Sequence, residues 1–175
     1  MTVVPDSVLQ GDYLAHVRWL IRRDMPEIME IENASFEFPW SEDDFIRCLR
    51  QRNCIGMVAE VEEVVLGFVI YELHKTRLHI LNLAVHPHAR RYRIGTVMLD
   101  KVIGKLSVQR RRKILTEVRE TNLGAQLFMK ANHFRAISVL RDFYEDTADD
   151  AYLFEYRLTQ PSVQEELNAN FYAGG

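Results

Sequence analysis

A single mixed α/β domain is what this sequence predicts, and three observations predict it. Its 175 residues provide enough chain for one substantial core. Short strand-like runs are interleaved with segments whose apolar residues recur at helical spacing. No internal repeat or low-complexity linker interrupts that alternation. The expected division is a loose, aperiodic lead-in at 1–14, a domain at 15–160 closed by Pro161, and a C-terminal tail at 161–175.

The elements follow in order. "HVRWLIRR" (16–23) reads as a first strand. Asp24 with Pro26 then marks a helix start whose apolar stripe is Ile28, Met29 and Ile31. In "FPWSEDDFIRCL", Ser41 and Asp44 have capping-box spacing, and Phe45, Cys48 and Leu49 continue at helical spacing. "CIGMVAEV" (54–61) and "VVLGFVIY" (64–71) are separated only by Glu62 and Glu63, a hairpin pattern with unfavoured turn residues. "LHILNLAV" (78–85) is apolar almost throughout, as a central strand is. A helix after Arg93 is expected to bury Ile94, Val97, Met98, Val102 and Leu106. "KILTEVR" (113–119) reads as a strand and "NLGAQLFMKAN" (122–132) as a helix. Strands near 134–143 and 151–158 follow, the last alternating Tyr152, Phe154 and Tyr156 against Ala151, Leu153 and Glu155.

Composition removes several function classes. A formal net charge of −3 argues against a general nucleic-acid binder, and "QRRRK" (109–113) reads as surface, so no direct nucleic-acid partner is expected. Cys48 and Cys54 lack CxxC spacing and a His-rich neighbourhood, which favours free buried thiols over a zinc site; no metal is expected. With no signal-like segment and no membrane-length apolar run, a cytoplasmic protein without membrane partners is expected.

The chemistry concentrates in "HPHARRYRIGTVMLDKVI" (86–103). A strand that ends in a basic loop and leads into a helix gathers unpaired N–H groups and positive dipole at one spot. Neighbouring arginines add charge-assisted contacts, so the pattern suits a phosphate-bearing ligand. A single glycine is a weak signal by itself, and a solvated basic helix start has the same appearance.

The wider pattern is more specific. "NLAVHPHARRYRIGTVML" resembles the cofactor segment of the GNAT superfamily of N-acetyltransferases, with Val85, Pro87, Arg90, Ile94 and Gly95 in register. "FPWSEDDF", "LTEVRETN" (115–122) and "FYEDTADDAYLFEYRL" (143–158) resemble blocks of the ribosomal-protein-alanine N-acetyltransferases, the RimI type. The resemblance spans roughly 16–158. It implies the GNAT fold: a central mixed, mostly antiparallel twisted sheet of about seven strands flanked by about four helices.

It also implies acetyl transfer from acetyl-CoA to an amine, most specifically the N-terminal α-amine of a protein or peptide, a ribosomal protein among the candidates. Leu83, Ala84 and Val85 would pair with the pantetheine arm, and a backbone N–H there would polarise the thioester carbonyl. Arg90, Arg91, Tyr92, Arg93, Ile94, Gly95 and Thr96 would form the pyrophosphate cradle, and Asn122 would bond the cofactor arm. Glu117 matches the general base. His79, where some relatives carry a catalytic tyrosine, is the second candidate. Phe38 and Tyr144 would line the acceptor cleft, with Trp40 packed beneath its loop.

Three departures stand out. Arg93 replaces a cradle glycine, which suits a helical backbone but costs about 1 kcal/mol or more at positive φ; its charge would offset lost backbone approach. Met129 replaces the tyrosine that reprotonates the thiolate. His133 stands where glycine precedes Phe134. Other readings are a GNAT enzyme acting on lysine or a small-molecule amine, and a non-catalytic acetyl-CoA-binding module. A monomer or weak dimer is expected.

Overall fold

The computed structural model describes residues 1–159. In chain order these form α1 (Asp6–Gln10), β1 (His16–Trp19), α2 (Met25–Ser35), α3 (Glu42–Leu49), β2 (Cys54–Val61), β3 (Val64–Leu73), β4 (Arg77–Val85), α4 (Ile94–Ile103), β5 (Lys113–Arg119), α5 (Leu123–Ala131), β6 (Arg135–Leu140) and β7 (Ala151–Arg157). Short 3-10 turns occupy Arg22–Asp24 and Pro87–Ala89. The seven strands form one sheet in the order β1-β2-β3-β4-β5-β7-β6. Every neighbouring pair is antiparallel except β4 and β5, which run parallel.

Helices cover both faces. α2 and α3 bury Ile28, Ile31, Phe45 and Cys48 against Val58, Phe68 and Ile70 on one face. On the other, α4 and α5 bury Met98, Leu99, Val102 and Met129 with Leu66, Tyr71, Leu78 and Ile114. Each fully buried aliphatic side chain contributes about 1.5–3 kcal/mol relative to exposure, so these stripes fix which helix lies on which face.

Local chemistry sets the ends of elements. The Ser41 hydroxyl accepts from the Asp44 N–H while the Asp44 carboxylate accepts from the Ser41 N–H, so the capping box forms. The β2–β3 hairpin turns through Glu62 (φ 51°) and Glu63 (φ 66°), both left-handed as a type I′ turn demands.

Several expectations need correction. The first strand stops at Trp19 rather than 23, because the Asp24 carboxylate draws in the Ile21 N–H and the Arg18 guanidinium and curls the chain into a 3-10 turn. The lead-in at 1–14 is packed in part: Val8 on α1 is fully buried, and Thr2 donates twice to Glu30. With α1 the described residues carry five α-helices, in keeping with the about four expected. α4 ends at Ile103, so Leu106 lies beyond it, and Val97 is only half-buried. β6 is shorter than 134–143, and its residues are almost all exposed. The expected tail at 161–175 lies outside the described residues.

Candidate active site

The site is made by a strand pair that comes apart. β4 and β5 pair only from Arg77↔Lys113 to Ile80↔Thr116. The last link is the Thr116 hydroxyl donating to the Ile80 carbonyl at 3.2 Å. Across β3, Tyr71 faces Ile80 while Ile70 faces Asn82, so Leu81 is an extra residue, a bulge that bends β4 away from β5. Beyond it one edge of β4 is open. His86 N–H bonds to Leu66 on the β3 side; by strand alternation Leu83 and Val85 turn their backbone groups to the open edge, and Ala84 turns its own to β3. The expected trio therefore divides, two residues offering the edge and one consumed by the sheet. Arg90 Nε already donates to the Val85 carbonyl, and its Nη2 donates to Ser35. That guanidinium braces β4 against α2 rather than standing free.

At the open end lies the start of α4. Arg91 (φ 71°) and Arg93 (φ 62°) are both left-handed, so the chain makes two tight bends where glycine would be unstrained. A helical backbone at Arg93 is thereby excluded. Arg91 and Arg93 are exposed, and Tyr92 packs partly against the core. Among the described residues no acceptor takes the backbone N–H groups of 91–96; the first bond into the helix runs from Val97 to Arg93. Free donors, two arginines without an ion pair among the described residues and a helix N-terminus suit a diphosphate, so the loop fits the group that the sequence pattern implies. Gly95 matters for contact, since a Cβ there would lie 3.1 Å from the Phe128 ring and 3.4 Å from Val85.

Glu117 follows Thr116 directly, just past the split. On β5 the residues 114, 116 and 118 point into the core, leaving Leu115, Glu117 and Arg119 on the α2–α3 face. His79 shares that face, and its Nε2 lies 2.6 Å from Glu117 Oε2. The two candidates that the sequence offers separately are hydrogen-bonded to each other. Their side chains are 21% and 19% exposed, dry enough to strengthen the bond and open enough to meet an amine.

Above this pair sit the expected acceptor residues, held by one that the sequence does not single out. Arg119 lies over the Tyr144 ring at 3.8 Å and the Phe38 ring at 5.1 Å, and it donates to Asp146 and Asp149. It thus ties the α2–α3 loop to the β6–β7 loop. Hydrogen bonds from Arg119 hold Asp146 below the usual carboxylate range, and those from Thr147 and Arg119 do the same for Asp149. Burial pushes the Tyr144 phenol up, so it stays a donor near neutral pH. Trp40 packs edge-on to Phe45 at 5.2 Å, as core beneath the loop.

A second missed residue is Glu32, 1% exposed in α2. Its carboxylate accepts from Trp40 N–H at 2.7 Å and Asn82 Nδ2 at 3.0 Å, clamping the acceptor loop to the strand after the bulge. Burial raises its pKa despite both donors. Its one sequence signal is a carboxylate beside Ile28 and Ile31 on the buried stripe.

Asn122 caps α5, its Oδ1 accepting from Ala125 N–H, while its amide NH2 has no partner among the described residues and is free to donate to a ligand. Met129 is 4% exposed within the core, so no proton donor stands there. His133 (φ 67°) occupies the left-handed position after α5, where a C-capping glycine would normally sit. Among the described residues Glu72, His74 and His79 can also bring one metal-ligating atom each within 4.8 Å of one another.

A mixed sheet split between parallel strands, with unbonded helix-start N–H groups beyond the split and a carboxylate at its mouth, offers a groove with donors suited to an anion at one end and a proton acceptor at the other. The chain belongs to the acetyltransferase (GNAT) family, whose model matches residues 25–134. It is 25% identical over 121 residues, 69% of this chain and 81% of the relative, to the [ribosomal protein bS18]-alanine N-acetyltransferase of Salmonella typhimurium. It is 26% identical to an N-alpha-acetyltransferase of Sulfurisphaera tokodaii, covering 74% of this chain and 85% of that one. Among solved structures, the Escherichia coli ribosomal-protein-S18-alanine N-acetyltransferase superimposes with a TM-score of 0.74 at 22% identity, over 86% of this chain and 97% of that one. Arabidopsis thaliana NAA60 in complex with acetyl-CoA gives 0.72 at 19%, over 83% and 100%. These two share the fold.

Proposed function

We propose that this N-acetyltransferase uses acetyl-CoA to acetylate the N-terminal α-amine of a protein, with a ribosomal protein among the candidate acceptors, and that Glu117 is its base. The observation that carries this is the Glu117–His79 contact at the mouth of the split, between the open β4 edge and the aromatic–arginine cluster. The names of the Salmonella and Sulfurisphaera relatives, one for an alanine of a ribosomal protein and one for the α-amine, support the acceptor class.

Acetyl-CoA, when bound, supplies an acetyl group activated as a thioester. Leu83 and Val85 would hold its arm along the free edge, with Arg91, Arg93 and the α4 start around the phosphates. An α-amine with a pKa of about 7.7–8.0 attacks only when neutral. Glu117 is positioned to accept its proton, directly or through a water, and His79 fixes which carboxylate lone pair faces the cleft. Tyr144 and Phe38 would seat the first peptide units.

A calorimetric titration with acetyl-CoA at two salt concentrations tests the cradle. Micromolar, salt-sensitive binding is expected, and absent binding would overturn it. Turnover with Ala-starting peptides that collapses in Glu117→Gln while binding persists is expected for the base; full activity in that variant would remove Glu117 from the role.

A further inference from the structure

We propose that Glu72, His74 and His79 form a binding site for a borderline-soft divalent ion, zinc foremost, and that occupation of this site arrests acetyl transfer. From the sequence, the spacing of Cys48 and Cys54 gives no sign of a metal, and Glu72, His74 and His79 lie apart, at the end of one strand, in the turn and on the next strand. The fold brings them together. Glu72 and His79 are direct cross-strand partners, so their side chains leave the same face of the sheet. His74 sits in the short β3–β4 turn, its backbone pinned by its N–H to the Arg77 carbonyl and by Arg111 Nε on its own carbonyl at 2.6 Å.

The donor set is two imidazoles and a carboxylate, which suits zinc with a coordination position left open. The ligand atoms already lie within 4.8 Å of one another. A tetrahedral ion with bonds of about 2.0–2.1 Å wants them about 3.4 Å apart, so binding would draw the side chains together by up to about 1.4 Å from the 4.8 Å they now span. His74 Nε2 and Glu72 Oε2 now share a hydrogen at 2.8 Å, the proton that an ion would displace. Glu117 occupies Nε2 of His79 and leaves Nδ1 to ligate, the carboxylate–imidazole–metal order that orients metal-bound histidines. The three side chains keep 20–31% exposure, so an ion has a path in.

Arrest follows from position. An ion on His79 Nδ1 leaves Nε2 able only to donate its N–H to Glu117, so the ring can no longer relay onward the proton that Glu117 takes from the amine. Binding stands independently of the proposed acceptor, whereas the arrest rests on the acetyltransferase reading.

The test titrates zinc chloride into tag-free full-length protein by calorimetry and then assays peptide acetylation with and without a chelator. One equivalent with micromolar affinity is expected. His74→Ala and Glu72→Gln, each checked for an unchanged thermal midpoint, should weaken binding at least tenfold. The Cys48→Ser, Cys54→Ser double variant should retain it. Zinc should abolish turnover in the wild type, reversibly, and spare His74→Ala. No stoichiometric binding, or binding lost with the cysteines instead, overturns the site. Stoichiometric binding through these residues with undiminished turnover overturns the arrest alone.

Discussion

Replacing Arg93 by glycine should make the protein more stable while weakening its hold on acetyl-CoA. Arg93 has φ 62° and ψ 9°, squarely left-handed. An L-residue pays about 1–2 kcal/mol there, whereas glycine does not. Glycine gives back about 0.5–1 kcal/mol through the greater entropy of its unfolded chain. The net gain is about 0.5–1 kcal/mol, which for a domain of this size raises Tm by about 1–4 °C. Arg93→Ala is the control, since alanine keeps the Cβ and therefore the strain. Both variants lose the same charge, so both should bind acetyl-CoA about tenfold more weakly, with a shallower salt dependence. Thermal and urea unfolding of the three proteins, with calorimetry at two salt concentrations, separates backbone from charge. A glycine variant no more stable than the alanine one would refute the strain. Unchanged affinity and salt dependence would refute the compensating role of the guanidinium.

Glu62→Asn with Glu63→Gly supplies the residues that a type I′ turn prefers, and should add about 1–2 kcal/mol in urea unfolding without altering turnover. Glu32→Gln should flatten one limb of the pH–stability curve. Burial raises the Glu32 carboxyl above its ordinary 4.5, so its stabilising share is complete below that pH and is lost as pH rises through the folded value. The amide variant, with the Asn82 amide turned over, keeps both bonds without the charge; a wild-type-like fall across that window would contradict this. Arg119→Ala releases Phe38 from Tyr144, and should raise KM for peptide several-fold while acetyl-CoA affinity holds.

The periodicities that place α2 to α5 and the seven strands arise from faces that must be buried, which is why they are legible in the chain alone. α1 is not: one buried residue, Val8, anchors it, too little to create a period. β1 is misjudged in length because Asp24 curls the chain through partners six and three residues back, and polar capture leaves no apolar signature. The site divides the same way. Glu117 and His79 are individually recognisable from motif and position, but their contact depends on the register between two strands 38 residues apart. Arg119 and Glu32 are ordinary letters in the sequence; long-range geometry makes one a clamp across two loops and the other a buried tether. Arg93 is conspicuous in the sequence, yet its left-handed backbone emerges only once β4 ends and α4 begins so close together.

The most direct measurement offers the protein acetyl-CoA with two forms of one Ala-starting peptide, one with its α-amine free and one with that amine blocked but a lysine available, and locates the added acetyl by mass spectrometry. The prediction is a single acetyl on the free α-amine, appearing faster as pH rises toward about 8, and lost in Glu117→Gln. Acetylation of the lysine in the blocked peptide, or α-amine acetylation that survives loss of the Glu117 carboxylate, would contradict the proposed acceptor and base.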